Sequence, residues 1–157
     1  MTHTAADPAD TSTIGYRRSM RRAVVLLLAV VAGAGVLGGI LLLLRPDGVA
    51  LGLSLALLPE WYTGDFFGAG VLLLIGFATA PVVAIVLMYV HPRWGWYAAT
   101  FLGAGLVIWT MVQIGLFGFI LPPVQIAFFA IGAALTTIGF VHARREHAEH
   151  REAQLRG

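Results

Sequence analysis

Arg45, Asp47, Glu60, Asp65 and Arg93 are the only charged side chains between Ala23 and Ala143. So long a stretch with so few charges cannot solvate the outside of a water-soluble fold. It specifies a chain that folds in a bilayer. Charged residues make up 11% of the whole chain, against about a quarter in an ordinary soluble domain. The same apolar content excludes intrinsic disorder for this region. Cysteine is absent, which removes disulfides, thiolate metal sites and thiol relays. Lysine and asparagine are absent too, a usage that suits a GC-rich bacterial genome.

A hydrocarbon core about 30 Å thick takes roughly 20 helical residues. Four segments meet that requirement: residues 23–44, 67–90, 97–119 and 123–141. The uncharged run from Trp94 to Val141 is too long for one crossing, and Pro122-Pro123 divides it. Proline lacks the N–H and pushes the preceding residue out of the helical region, but it fits the first turn of a new helix. The expected fold is therefore all-α: four transmembrane helices in a bundle, with spans three and four as a tight hairpin. Residues 1–22 are expected to be a disordered basic N-terminus. Residues 142–157 are expected to be a charged helical extension of span four, with Arg145/Glu149 and Glu152/Arg156 as i,i+4 pairs.

The arginines set a direction. Arg17, Arg18, Arg21 and Arg22 precede span one, Arg93 separates spans two and three, and Arg144, Arg145, Arg151 and Arg156 follow span four. Only Arg45 falls on the other side. Positive residues stay cytoplasmic, so both termini are expected inside a bacterial plasma membrane. Trp61 and Tyr62 then lie at the outer interface, and Tyr89, Trp94, Trp96 and Tyr97 at the inner one. The basic ends suit anionic lipid headgroups; nucleic acid is not an expected partner. Arg21-Arg22 followed by an apolar run and Ala32-Gly33-Ala34 imitates a cleavable signal peptide. The apolar run continues to Leu44, so a retained helix is the reading taken.

Residues 45–66 are the one sizeable loop. Arg45-Pro46-Asp47-Gly48 is turn chemistry, and Val49 to Leu58 is apolar but too short to span. A short helix or ribbon over the helix ends is expected, serving as a connector or as a lid. Asp65 stands where a carboxylate caps the start of span two.

No ionisable side chain falls inside a predicted span. Proton-coupled transport and carboxylate chemistry in membranes draw on such groups, so neither is expected. No catalytic, cofactor-binding or metal-binding set is expected, and the protein is read as not an enzyme. The strongest polar group in a span is Gln113, about 9 Å below the outer edge by helical rise, with Trp109 four residues away on the same face. Two readings stand: a ligand or path site, or an interhelical hydrogen bond that locks the bundle. Pro81 interrupts span two and frees the Phe77 carbonyl, which Thr79, neighbouring waters or helices are expected to satisfy. It is the candidate hinge. Gly35/Gly39, Ala34/Gly38, Ala130/Ala134 and Gly132/Thr136 have helix-packing spacing. His91 and His142 end spans two and four on one side and would be the pair for a haem. An ordinary interfacial role is preferred, since both lie at the water boundary. His147 and His150 sit on a solvated face of the tail.

Pro46-Asp47-Gly48, Leu58-Pro59, Asp65-Phe66 at the entry to span two, and Ile108-Trp109 with Val112-Gln113-Ile114 in span three resemble a group of uncharacterised small four-helix bacterial integral membrane proteins. The resemblance covers about residues 23–141. It implies a four-helix fold with an outer loop between helices one and two, and it implies no reaction. The Pro-Gly that opens span two in that group stands here as Gly68-Ala69-Gly70. Together these features point to a non-enzymatic structural or accessory subunit, alone, as a homo-oligomer or beside a larger membrane complex. The alternatives are a small oligomeric channel or transporter around Gln113, Trp109 and Pro81, and a haem- or quinone-binding protein.

Overall fold

The computed structural model describes residues 8–58, 60, 63–119 and 121–155, with side chains at 16 and between 18 and 144. Four helices make up the fold: α1 (Pro8–Leu44), α2 (Phe67–Val90), α3 (Pro92–Phe117) and α4 (Pro122–Leu155). Each contains a segment long and apolar enough to cross a membrane. Among the described residues there is no strand. The protein is an all-α helical membrane protein with antiparallel neighbours along the chain.

Three boundaries differ from expectation. Helix α1 begins at Pro8, so residues 8–22 are helical and not disordered; proline is at home in the first turn. Helix α3 begins at Pro92 instead of residue 97, with His91 in a non-helical conformation as its cap. The same rule explains it: Pro92 opens a helix where a turn was expected. Helix α3 also stops at Phe117, because Gly118 takes φ +70° and its N–H bonds the Ile114 carbonyl at 2.9 Å. A positive φ of this kind is open to glycine and strained for residues with a Cβ. The tail beyond Arg144 continues α4 to Leu155; its ion pairs, His147 and His150 lie outside the described side chains, as do Trp61 and Tyr62.

Helix α2 is not uniform. Phe67–Leu72 is α-helical, Leu73–Thr79 is π-helical and Ala80–Val90 is α-helical again. The wide turns end just before Pro81, which has no N–H for the Phe77 carbonyl. Of the groups expected to serve Phe77, Thr79 donates its hydroxyl to the Leu74 carbonyl instead, at 3.0 Å. The Phe77 carbonyl instead lies against Gly35 of α1, so close that a Cβ there would overlap it. Further along the same crossing, a Cβ on Gly39 would lie 3.0 Å from the Gly70 carbonyl oxygen. Helices α3 and α4 form the most extensive pair. They meet at Gly103 and Gly132, where a Cβ on either would fall within 2.8 Å of the other's carbonyl oxygen. Small residues therefore bring backbones together inside one chain, the usual source of helix attraction where lipid offers no hydrophobic drive.

The packed core lies at the end of the bundle that carries the termini. Val24 and Leu28 of α1, Ala84 and Met88 of α2, Trp96 and Ala99 of α3, and Leu135 and Ala143 of α4 bury one another there. Trp96 is only 6% exposed. It is thus packed inside the bundle, whereas Trp94 and Tyr89 are exposed. Arg21 lies over the Tyr89 ring at 5.0 Å and Arg144 over Phe140 at 4.3 Å. Helix α1 supplies Val24 and Leu28 to the core and Gly35 to the α2 crossing, so it is integral to the bundle.

Candidate functional site: a cavity under the interhelical loop

The opposite end of the bundle is hollow. A cavity of about 320 Å³ lies between the loop and the ends of all four helices. Its roof is the loop. Two 3-10 turns, Val49–Leu51 and Leu55–Leu57, fold the chain back so that Leu51, Leu53, Leu57 and Leu58 face the cavity, while Val49 and Leu55 point away and are exposed. The turn chemistry expected at 45–48 is present. Asp47 accepts from the Val49 N–H at 3.2 Å and pairs with Arg45 at 3.3 Å, and Gly48 takes φ +80°. The Phe66 N–H donates to the Pro46 carbonyl at 2.9 Å, which ties the loop's two ends together. The Phe66 ring is buried beside Phe117, centroids 6.4 Å apart. Asp65 accepts from the Phe67 N–H at 2.9 Å and so caps α2 as its position suggested. A Cβ on Gly48 would sit 2.8 Å from Leu53 Cβ and 2.9 Å from the Phe66 ring. Gly48→Ala therefore combines a disfavoured φ with a clash at the roof's anchor, and should cost about 1–3 kcal/mol. Melting of the detergent-solubilised variant checks this; an unchanged midpoint would show that Phe66 does not fix the roof.

The walls are apolar except for four side chains with polar groups. Trp109 and Gln113 reach the cavity from α3, Gln125 from α4, and Asp65 from the loop's end. Their positions follow from the hairpin's seam. On α3 the buried positions Trp96, Ala99, Gly103, Leu106 and Thr110 alternate by three and four, and the next two steps are Gln113 and Phe117. On α4 the buried positions Gly132, Leu135 and Gly139 run back by the same steps to Phe128 and Gln125. Both amides thus occupy core-facing positions. Both line the cavity there.

Sequence reasoning singled out Gln113 and Trp109 and missed Gln125. Its phase with Gly132 and Gly139 was the available signal. Gln125 is 8% exposed. Its Nε2 donates to the Gly118 carbonyl at 3.1 Å, while its Oε1 is buried with no partner among the described residues. The bond to a carbonyl fixes which end of the amide is nitrogen, because the reverse orientation would set oxygen against oxygen. Gln113 forms no hydrogen bond within the described residues, so the interhelical lock considered for it is not made. Trp109 packs on Phe77 with centroids 6.0 Å apart. Pro81 is buried just beyond, next to the π-helical segment.

Of the other buried polar side-chain atoms, His142 Nε2 likewise has no partner among the described residues. Thr100, Thr110, Thr136 and Thr137 each donate to the carbonyl four residues back, at 2.8–2.9 Å. This is how a hydroxyl is satisfied on a helix in hydrocarbon. His142 lies flat on Trp96, centroids 4.4 Å apart, with Nδ1 2.9 Å from the Ile138 carbonyl oxygen. His91 is exposed in the α2–α3 turn. His142 is engaged with Trp96 and Ile138, and among the described residues no three His, Cys, Asp or Glu side chains gather as a metal site. Comparison with protein-family models, characterised proteins and solved structures finds no match. The site therefore has to be read from its own chemistry.

Proposed function

We propose that this is a non-enzymatic accessory protein of a bacterial plasma membrane, with both termini cytoplasmic, that holds an amphiphilic molecule in the outer half of the bundle. The observation that carries the reading is the cavity of about 320 Å³ under the loop. Its size is at the lower end of ligand sites, its walls are mostly apolar, and two amides, Gln113 and Gln125, line it. A pore through one protomer is not favoured, because the packed cluster of Val24, Leu28, Met88 and Leu135 fills the bundle beyond the cavity. The distribution of arginine supports the orientation, since nine of ten lie on the side of the termini.

The absence of cysteine makes orientation directly measurable. Ser54→Cys, in the exposed part of the loop, should react with a membrane-impermeant maleimide in intact cells. His91→Cys, in the exposed α2–α3 turn, should react only after permeabilisation. The opposite pattern would invert the topology. Occupancy is tested by native mass spectrometry of protein extracted gently from its own membrane. One bound amphiphile per protomer, reduced by Leu73→Trp, which narrows the cavity, is the expected result. Bare protein would remove the binding role, and a second protein mass would leave only the accessory one.

A further inference from the structure

Resting on that reading of the cavity, we infer that its ligand is a compact, ring-bearing molecule of about a dozen non-hydrogen atoms, with one uncharged hydrogen-bonding group that pairs with the Gln113 side-chain amide. Size is the first observation. An apolar cavity of about 150 Å³ takes one benzene ring. One of about 320 Å³ takes roughly twice as many atoms, as two fused rings or one substituted ring. A full acyl chain exceeds it. The second observation is the lining. Phe66, Trp109, Phe117 and Phe128 contribute four rings to the walls. Aromatic pairs gain from ring-to-ring geometry beyond the area they bury, so a ring is the shape these walls hold best.

The third observation is Gln113 itself. It stands one turn from Trp109 on the same face of α3, and both line the cavity. Its amide makes no hydrogen bond within the described residues. Gln125 Oε1 is shut in by protein atoms, whereas Gln113 is half-buried and its amide keeps open surface. A ring lying beside Trp109 therefore brings its substituent to an amide with a donor and an acceptor still to give. Charge narrows the class further. Among the described residues no arginine lines the cavity, and the one ionisable lining residue, Asp65, is exposed and caps α2. A charged head would lose its water with only an amide to replace it.

The test is equilibrium dialysis of labelled probes against the full-length protein in phosphatidylcholine nanodiscs, with uptake by protein-free nanodiscs subtracted. The probes 2-naphthol and 2-methylnaphthalene share one shape and differ as hydroxyl against methyl. Each should show saturable uptake of one molecule per protomer, abolished by Leu73→Trp. Gln113→Leu should weaken 2-naphthol about tenfold, the scale of one hydrogen bond to a buried group, and leave 2-methylnaphthalene within about twofold. The charged analogues 2-naphthoate and 2-naphthylmethylammonium should bind at least about tenfold more weakly than 2-naphthol; equal binding would overturn the uncharged head. An unchanged 2-naphthol affinity in Gln113→Leu overturns the pairing with Gln113. So does an equal loss of both probes in Gln113→Leu and Gln113→Met, which would make Gln113 a support of the cavity. The cavity reading survives those outcomes provided Leu73→Trp removes the saturable uptake. Uptake that ignores Leu73→Trp overturns both. No saturable uptake of either probe overturns the ring-bearing ligand, and the cavity reading falls with it only if native mass spectrometry also finds bare protein.

Discussion

Gly35→Ala should lower the melting temperature of the detergent-solubilised protein by on the order of 5–10 °C, while Gly33→Ala, two residues away, leaves it unchanged or slightly raised. Both substitutions add one methyl group to one helix, and both improve intrinsic helix propensity by up to about 1 kcal/mol. Only the surroundings differ. A Cβ on Gly33 meets nothing within 4 Å. One on Gly35 overlaps the Phe77 carbonyl and would lie 2.7 Å from the Ala78 nitrogen. These are backbone atoms, and no rotamer change clears them. Helices α1 and α2 would have to separate along the crossing, which also opens the approach of Gly39 to Gly70. Overpacking of this kind costs about 1–3 kcal/mol and more where backbone must shift. In a bilayer little else holds two helices together, since close packing supplies most of their attraction. At about 2–4 °C per kcal/mol for a chain of this size, the expected fall follows. Equal melting of the two variants would mean that the Gly35 crossing does not hold α1.

The same crossing shows what could be read in advance and what could not. Gly35/Gly39 has the spacing of a packing motif, and the structure seats it against α2 within the chain. Its partner could not be read, because the partner is a carbonyl. Pro81 announces that the Phe77 carbonyl loses its helical donor, but only the π-helical turns before it decide which way that carbonyl faces. The four spans and the Pro-delimited hairpin were legible because length and hydropathy depend on the bilayer's thickness and not on the neighbours. The cavity was not legible. It lies between the loop and the ends of four helices, and such a space depends on side-chain volumes on several elements at once. Gln113 stood out in the sequence as an amide in hydrocarbon. Gln125 did not, although it too falls within a predicted span, three residues after Pro122. Its place on the seam appears only when its phase is counted back from Gly132 and Leu135.

Trp96→Ala should be the more damaging of two tryptophan truncations by a wide margin, although Trp94 and Trp96 were indistinguishable as interfacial aromatics. Trp94 is 65% exposed and touches Tyr97 with centroids 6.3 Å apart. Trp96 is 6% exposed, belongs to the core cluster and carries the His142 ring on its face. The difference is one of helical phase. With α3 beginning at Pro92, Trp96 falls in line with Ala99, Gly103 and Leu106, and Trp94 falls outside that line. Removing the Trp96 side chain leaves a cavity among Leu28, Met88 and Leu135 and strips His142 of its stacking partner. Truncations of buried tryptophan cost about 3–5 kcal/mol, with about 1 kcal/mol more from the ring pair. Trp94→Ala should change stability by no more than about 1 kcal/mol. Thermal unfolding followed by near-ultraviolet circular dichroism compares the two variants. Equal sensitivity would place Trp96 outside the core and the start of α3 nearer Tyr97. A large loss confined to Trp96 fixes the phase of α3, and with it the direction in which Gln113, further along the same line, faces the cavity.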